Sequence, residues 1–179
     1  MKNTKTLWIT KTGVMLAILI VLQFVTKPFG QIITGSCVNY VLVISALILG
    51  LGSAALIAFI SPFLAFFLGI GPAFLPIVPG IAIGNLVLVI VVYFVSSKGR
   101  QKNDIVKNEI GVIIGAFDKL LILYILVVKI LIPLIGLPDE KASVISAMFT
   151  WPQLITALVG GTVAVIAAKP IKNALNNTK

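Results

Sequence analysis

Asp118, Lys119 and Lys129 interrupt AFDKLLILYILVVKILIP, residues 116–133, a stretch otherwise made of side chains that leave water. Eleven residues separate Asp118 from Lys129, ~16 Å along a helix axis and close to three whole turns, so Asp118, Ile122, Ile125 and Lys129 share one face. A charge in a membrane span costs about 2.5–3.5 kcal/mol on insertion scales and usually faces a bundle interior or a cavity. Lys129 has two readings: a stem that lifts its ammonium to the interface, or a cation that receives an anionic group arriving from outside. Asp118 and Lys119 lie deeper. They read either as a structural polar pair or as a contact for another membrane protein or the floor of a binding cavity.

Other polar groups fall at a similar level. Asn39 heads one apolar segment and Asn85 lies within another, while Trp151-Pro152-Gln153 opens the last. Each has a bland role as well: the asparagines cap or cross-link helices, and Trp151 belongs to the interfacial aromatic belt. Gln153 is harder to dismiss, because a buried amide needs partners. With Lys129, these groups are expected to converge on a pocket of apolar walls and few polar groups, the usual form of a small-molecule site. Gly13 and Ala17 stand four apart, a small-xxx-small spacing that lets a second helix approach closely.

Composition sets the solvent in which these groups work. Of 179 residues, 59% are hydrophobic and 11% charged, with a mean hydropathy of +1.16. Soluble domains run at about 45–50% apolar and about 25% charged, so this chain reads as an all-α integral membrane protein. The apolar segments give six spans in a single membrane domain: about 7–25, 39–49, 53–68, 81–95, 110–132 and 144–168. KPFGQIITGSC at 27–37, the glycines at 50–52, GIGPAFLPIVPG at 69–80, SSKGRQKNDIVKN at 96–108 and IPLIGLPDEKAS at 132–143 connect them. Pro62 should kink the third span. The basic N-terminus ahead of a long apolar run lacks a small-x-small cleavage site and reads as a retained span.

Charge sets the orientation. Lys2, Lys5, Lys11, Lys98, Arg100, Lys102, Lys107, Lys169, Lys172 and Lys179 fall on one side of such a bundle, and Lys27 and Lys141 on the other. Both termini are therefore expected in the cytoplasm. The net charge of +9 follows from this bias and implies no nucleic acid. With no His and one Cys, Cys37, the chain offers neither an internal disulfide nor a Cys/His metal site. It has no G-x-x-x-x-G-K-[ST] loop for ATP and no nucleophile with a recognisable base. No enzyme activity, cofactor or metal is expected.

The layout resembles the substrate-binding S component of energy-coupling factor (ECF) vitamin transporters. The likeness lies in a basic N-terminus leading into a span with small residues at 13 and 17, six spans in fewer than two hundred residues, a structured 1–2 connection and a Gly/Pro-rich 3–4 connection. The family signature on the first span is Ala-x-x-x-Ala; Gly13 departs from it but stays small. The resemblance implies that Gly13 and Ala17 dock on a membrane coupling subunit driven by two ATPase subunits. It also implies a vitamin bound near the outer surface, where Asn85, Lys129, Trp151 and Gln153 fall, in a protein of the cell membrane. A lone outer-half lysine with amides and an indole suits a small carboxylate carrying hydroxyl or amide groups. Pantothenate comes first, ahead of niacin, biotin and folate. Thiamine fits less well, since no acidic residue sits in the outer half of a span. The competing readings are a structural or assembly protein without ligand, a lipid-modifying enzyme and a stand-alone permease.

Overall fold

The computed structural model describes residues 4–71, 74–97 and 104–177, and among them every regular element is helical. Lys2, Lys98, Arg100, Lys102 and Lys179, which weigh in the charge bias, lie outside the described residues. The long helices are α1 (Thr4–Thr26), α2 (Gln31–Ile48), α3 (Leu51–Phe67), α4 (Val78–Ser97) and α5 (Ile105–Leu123). A π-helical stretch, Tyr124–Leu131, carries α5 into the short α6 (Ile132–Ile135), and α7 (Asp139–Met148) and α8 (Trp151–Asn177) complete the chain. Among the described residues, five segments are long and apolar enough to cross a membrane by length and composition, and α3 is a shorter apolar helix of 17 residues.

Local chemistry places the corners. Gly30 (φ +84°) and Gly50 (φ +93°) occupy the left-handed region, where a Cβ would be strained, and each is followed at once by a new helix. Pro28 sits in a one-turn 3₁₀ helix, Lys27–Phe29, ahead of Gly30. Asp104 caps α5, its carboxylate accepting from Val106 N at 3.2 Å and Lys107 N at 3.4 Å, which satisfies two of the donors left orphaned at a helix start.

The helices close into a ring in which α1 packs on α2, α2 on α8, α8 on α5, α5 on α4, α4 on α3 and α3 back on α1, with α2 also touching α4 across the middle. Close approach at the α2–α8 crossing depends on glycine. A Cβ at Gly160 would run into the backbone of Ser36 and Tyr40. Helix α1 is the least embedded, burying only Thr12 and Leu19. Thr12 Oγ1 donates to its own helix at Trp8 O (2.8 Å) and lies 2.8 Å from Ser53 Oγ of α3, which pins α1 near its start.

Several elements begin or end away from their sequence-based bounds. Helix α2 starts at Gln31, eight residues before Asn39, so most of the expected polar 1–2 connection is helix. The last expected span divides at Phe149-Thr150 into α7 and α8. Helix α8 runs through Pro170 to Asn177, well beyond residue 168.

Candidate substrate-binding site

A cavity of about 280 Å³ opens between the helices at the end of the bundle that holds the α1–α2 corner, the α3–α4 connection and α7. Its size lies just below the roughly 300–1,000 Å³ usual for small-molecule pockets. The floor is Lys119. Its side chain is 3% exposed, and Nζ donates to Asn39 Oδ1 at 2.6 Å and Asn85 Oδ1 at 2.8 Å. An ammonium carries three donors, so one is left over. Asn39 Nδ2 donates onward to Thr156 Oγ1 at 3.2 Å, and Thr156 Oγ1 to Gln153 O at 3.1 Å. One network thus joins α2, α4, α5 and α8 around a single buried cation.

The rim is polar as well. Gln31 Nε2 and Gln153 Nε2 both donate to Met148 O, at 2.6 and 3.0 Å, tying α2 and α8 to the end of α7. Lys27 Nζ donates to Gly69 O at 2.7 Å and joins the α1–α2 corner to the α3–α4 connection. Apolar contact comes from Pro62, Ala65, Ile70, Ile81 and Phe149. Among the described residues, Lys27 and Lys119 line the cavity and no carboxylate does. A buried charge taken out of water costs several kcal/mol unless a counter-charge and hydrogen bonds offset it. Here the amide carbonyls supply the hydrogen bonds, and the lining supplies no anion.

Of the residues expected to converge, Asn39, Asn85 and Gln153 line this cavity, and Lys129 and Trp151 do not. Lys129 is exposed, with its Nζ 5.4 Å from the centroid of the Tyr124 ring, within cation–π range. The reason is helical phase. The buried line of this segment is Val112, Ala116, Lys119, Leu123 and Val127, one residue later than the face shared by Asp118 and Lys129. Asp118 is accordingly only half-buried, and Ile125 is exposed. Trp151 is 62% exposed at the first turn of α8, where a membrane interface would suit an indole. Replacing Lys129 by leucine should leave ligand affinity unchanged in equilibrium dialysis of the purified protein; lost affinity would return the anion-binding role to it.

The cation at the floor could have been found from the small residues before it. Gly111, Gly115 and Ala116 mark a closely packed side of α5, and a Cβ at Gly115 would press on Leu88 of α4. Lys119 lies four residues beyond Gly115, on that packed side. Gln23, Thr34 and Ser61 also line the cavity, and nothing in their sequence context distinguishes them from ordinary polar residues of a membrane helix.

Gly13 and Ala17 are exposed on the outer side of α1, and a Cβ at Gly13 would meet nothing within 4 Å. Among the described residues, no group of three or more His, Cys, Asp or Glu side chains could hold a metal ion.

No curated protein and no solved structure matches the chain. A protein-family model, described as "ECF transporter, substrate-specific component", matches residues 8–172.

Proposed function

The chain belongs to the family of ECF transporter substrate-specific components, and from that premise we propose that the cavity above Lys119 captures a small anionic vitamin, with pantothenate the first candidate. The family makes the chain a transport subunit of a multi-pass membrane protein class, working with a membrane and ATPase module on a small-molecule substrate. The observation that carries the finer reading is the buried ammonium of Lys119 in a cavity whose described lining residues include no carboxylate. An anion there turns an uncompensated charge into a hydrogen-bonded ion pair. Asn39 and Asn85 hold the ammonium in place, and Gln153 contributes to the wall beside them.

On this reading α3 crosses the membrane with the five longer helices, both termini are cytoplasmic, and the cavity faces the outside of the cell membrane. Docking on the coupling subunit, with its two ATPase subunits, falls to the open side of α1 at Gly13 and Ala17. Their exposure supports this, because small exposed residues one turn apart leave room for a foreign helix. Gly13→Leu therefore should change ligand affinity by less than about twofold, as expected for an open surface site, and abolish uptake. Normal uptake by that variant would remove α1 from the docking surface.

The substrate is tested in cells without pantothenate uptake of their own. Cells that express this chain together with a coupling module should accumulate labelled pantothenate, and cells with the chain alone should not. Accumulation without the module would make the protein a stand-alone permease. Accumulation of labelled biotin or nicotinate in place of pantothenate would move the substrate within the anionic vitamins.

A further inference from the structure

The two walls of the cavity differ in how well their polar atoms are satisfied. Around Lys119 each amide that enters the network has a partner. Away from that network, Gln23 Oε1 of α1, Thr34 Oγ1 of α2 and Ser61 Oγ of α3 are buried with no hydrogen-bond partner among the described residues. All three residues line the cavity, and Ser61 is 1% exposed. Orphaned buried polar atoms are few in native proteins, and each is destabilising until something bonds it.

Elsewhere in this bundle most described helical hydroxyls solve the problem locally, Ser96 Oγ of α4 being the exception away from the cavity. Thr10, Thr12, Thr26, Ser36, Ser45 and Ser146 each donate to the carbonyl four residues back, at 2.6–2.9 Å. Thr34 and Ser61 have the same option and do not take it. Three unsatisfied groups thus belong to residues of three different helices that line one cavity, whose floor holds an ammonium.

We propose that Gln23, Thr34 and Ser61 are the specificity-determining residues of this site and read hydrogen-bond donors on the end of the ligand remote from its anionic group. The proposal rests on the reading of the cavity as an anion-binding substrate site and narrows its substrate class. An amide oxygen only accepts, so the ligand atom opposite Gln23 Oε1 must be an O–H or N–H. The Ser and Thr hydroxyls give or take a hydrogen bond and so accommodate the neighbouring atoms of the same ligand. The substrate is then a small acid carrying hydroxyl or amide-type N–H groups at its far end. A small acid without donors leaves Gln23 Oε1 orphaned, and sites built to bond a polar group reject analogues that lack it.

The test is equilibrium dialysis of the purified full-length protein with five labelled probes. Pantothenate and biotin are carboxylates with O–H or N–H donors, nicotinate and lipoate are carboxylates without them, and thiamine is a cation. The expected result is that a donor-bearing acid binds at least roughly tenfold more tightly than either donor-free acid. Gln23→Leu and Ser61→Ala should each weaken it by at least roughly tenfold, while the unliganded melting temperature stays level or rises, since an orphaned polar atom has been removed. Equal binding of a donor-free acid, or unchanged affinity in both variants, overturns this proposal. The anion site itself still stands in that case if Lys119→Gln abolishes the binding seen. Binding of thiamine alone, or of no probe, overturns the anion site and this proposal with it.

Discussion

Lys119→Gln should abolish ligand binding and leave the bundle folded. Glutamine keeps an uncharged donor amide one bond short of the point where Nζ now meets Asn39 Oδ1 and Asn85 Oδ1 at 2.6 and 2.8 Å, and small shifts of the two asparagines can keep their carbonyls bonded. What disappears is the charge. Truncating one partner of a buried, hydrogen-bonded charge pair costs about 2–5 kcal/mol, roughly thirty-fold to several-thousand-fold in affinity. The unliganded protein should respond in the opposite sense. The described residues lining its cavity include no carboxylate, so neutralising the ammonium removes an uncompensated buried charge and raises the melting temperature. Equilibrium dialysis and thermal unfolding of the same preparation separate the two effects. Unchanged affinity, or a variant that fails to fold, would show that Lys119 is structural.

Gly160→Leu should act through the scaffold. Glycine at this point of α8 lies against the backbone of Ser36 and Tyr40 in α2. A side chain cannot be accommodated there by rotating a neighbour, because the obstacle is main chain. The helices must separate, and overpacking of this type costs typically about 1–3 kcal/mol and occasionally more. The same movement pulls Asn39 away from Thr156, whose hydrogen bond spans these two helices at 3.2 Å. Thermal unfolding in detergent should show a lower melting temperature, and dialysis a loss of binding. Gly13→Leu is the internal comparison, since a Cβ there meets nothing within 4 Å. A Gly160→Leu protein with wild-type stability and affinity would contradict the packing described for α2 and α8.

The two glycines also show what can be read from sequence and what cannot. Apolar runs punctuated by Gly30, Gly50 and Asp104 reveal helices and their corners, because left-handed backbone and helix caps favour particular residues. Asn39, Asn85 and Gln153 stand out because amides are expensive among apolar side chains, and all three line the cavity. The phase of α5 is less legible. Asp118 and Lys119 are adjacent, so choosing which one faces inward means choosing the whole face, and Lys129 shares the face of Asp118. The glycine at 115 breaks the tie in favour of Lys119, once close packing is recognised as the constraint on it. The π-helical winding of Tyr124–Leu131 has no marker among its residues. Nor do Gln23, Thr34 and Ser61 carry one, because an orphaned atom is defined by what surrounds it. The 27–37 segment misleads for a different reason. Its Gln, Thr, Gly and Ser suggest a loop, yet the polar side chains of Gln31 and Thr34 line the cavity from a helix.

The protein purified in mild detergent from cells grown in rich medium, washed, denatured and examined by mass spectrometry for released small molecules, puts the anion site to its most direct trial. A single small acid should be released from the wild-type protein and be missing from Lys119→Gln prepared in parallel. Release of a cation, or of the same molecule in equal amount from both proteins, would contradict a binding site built on Lys119.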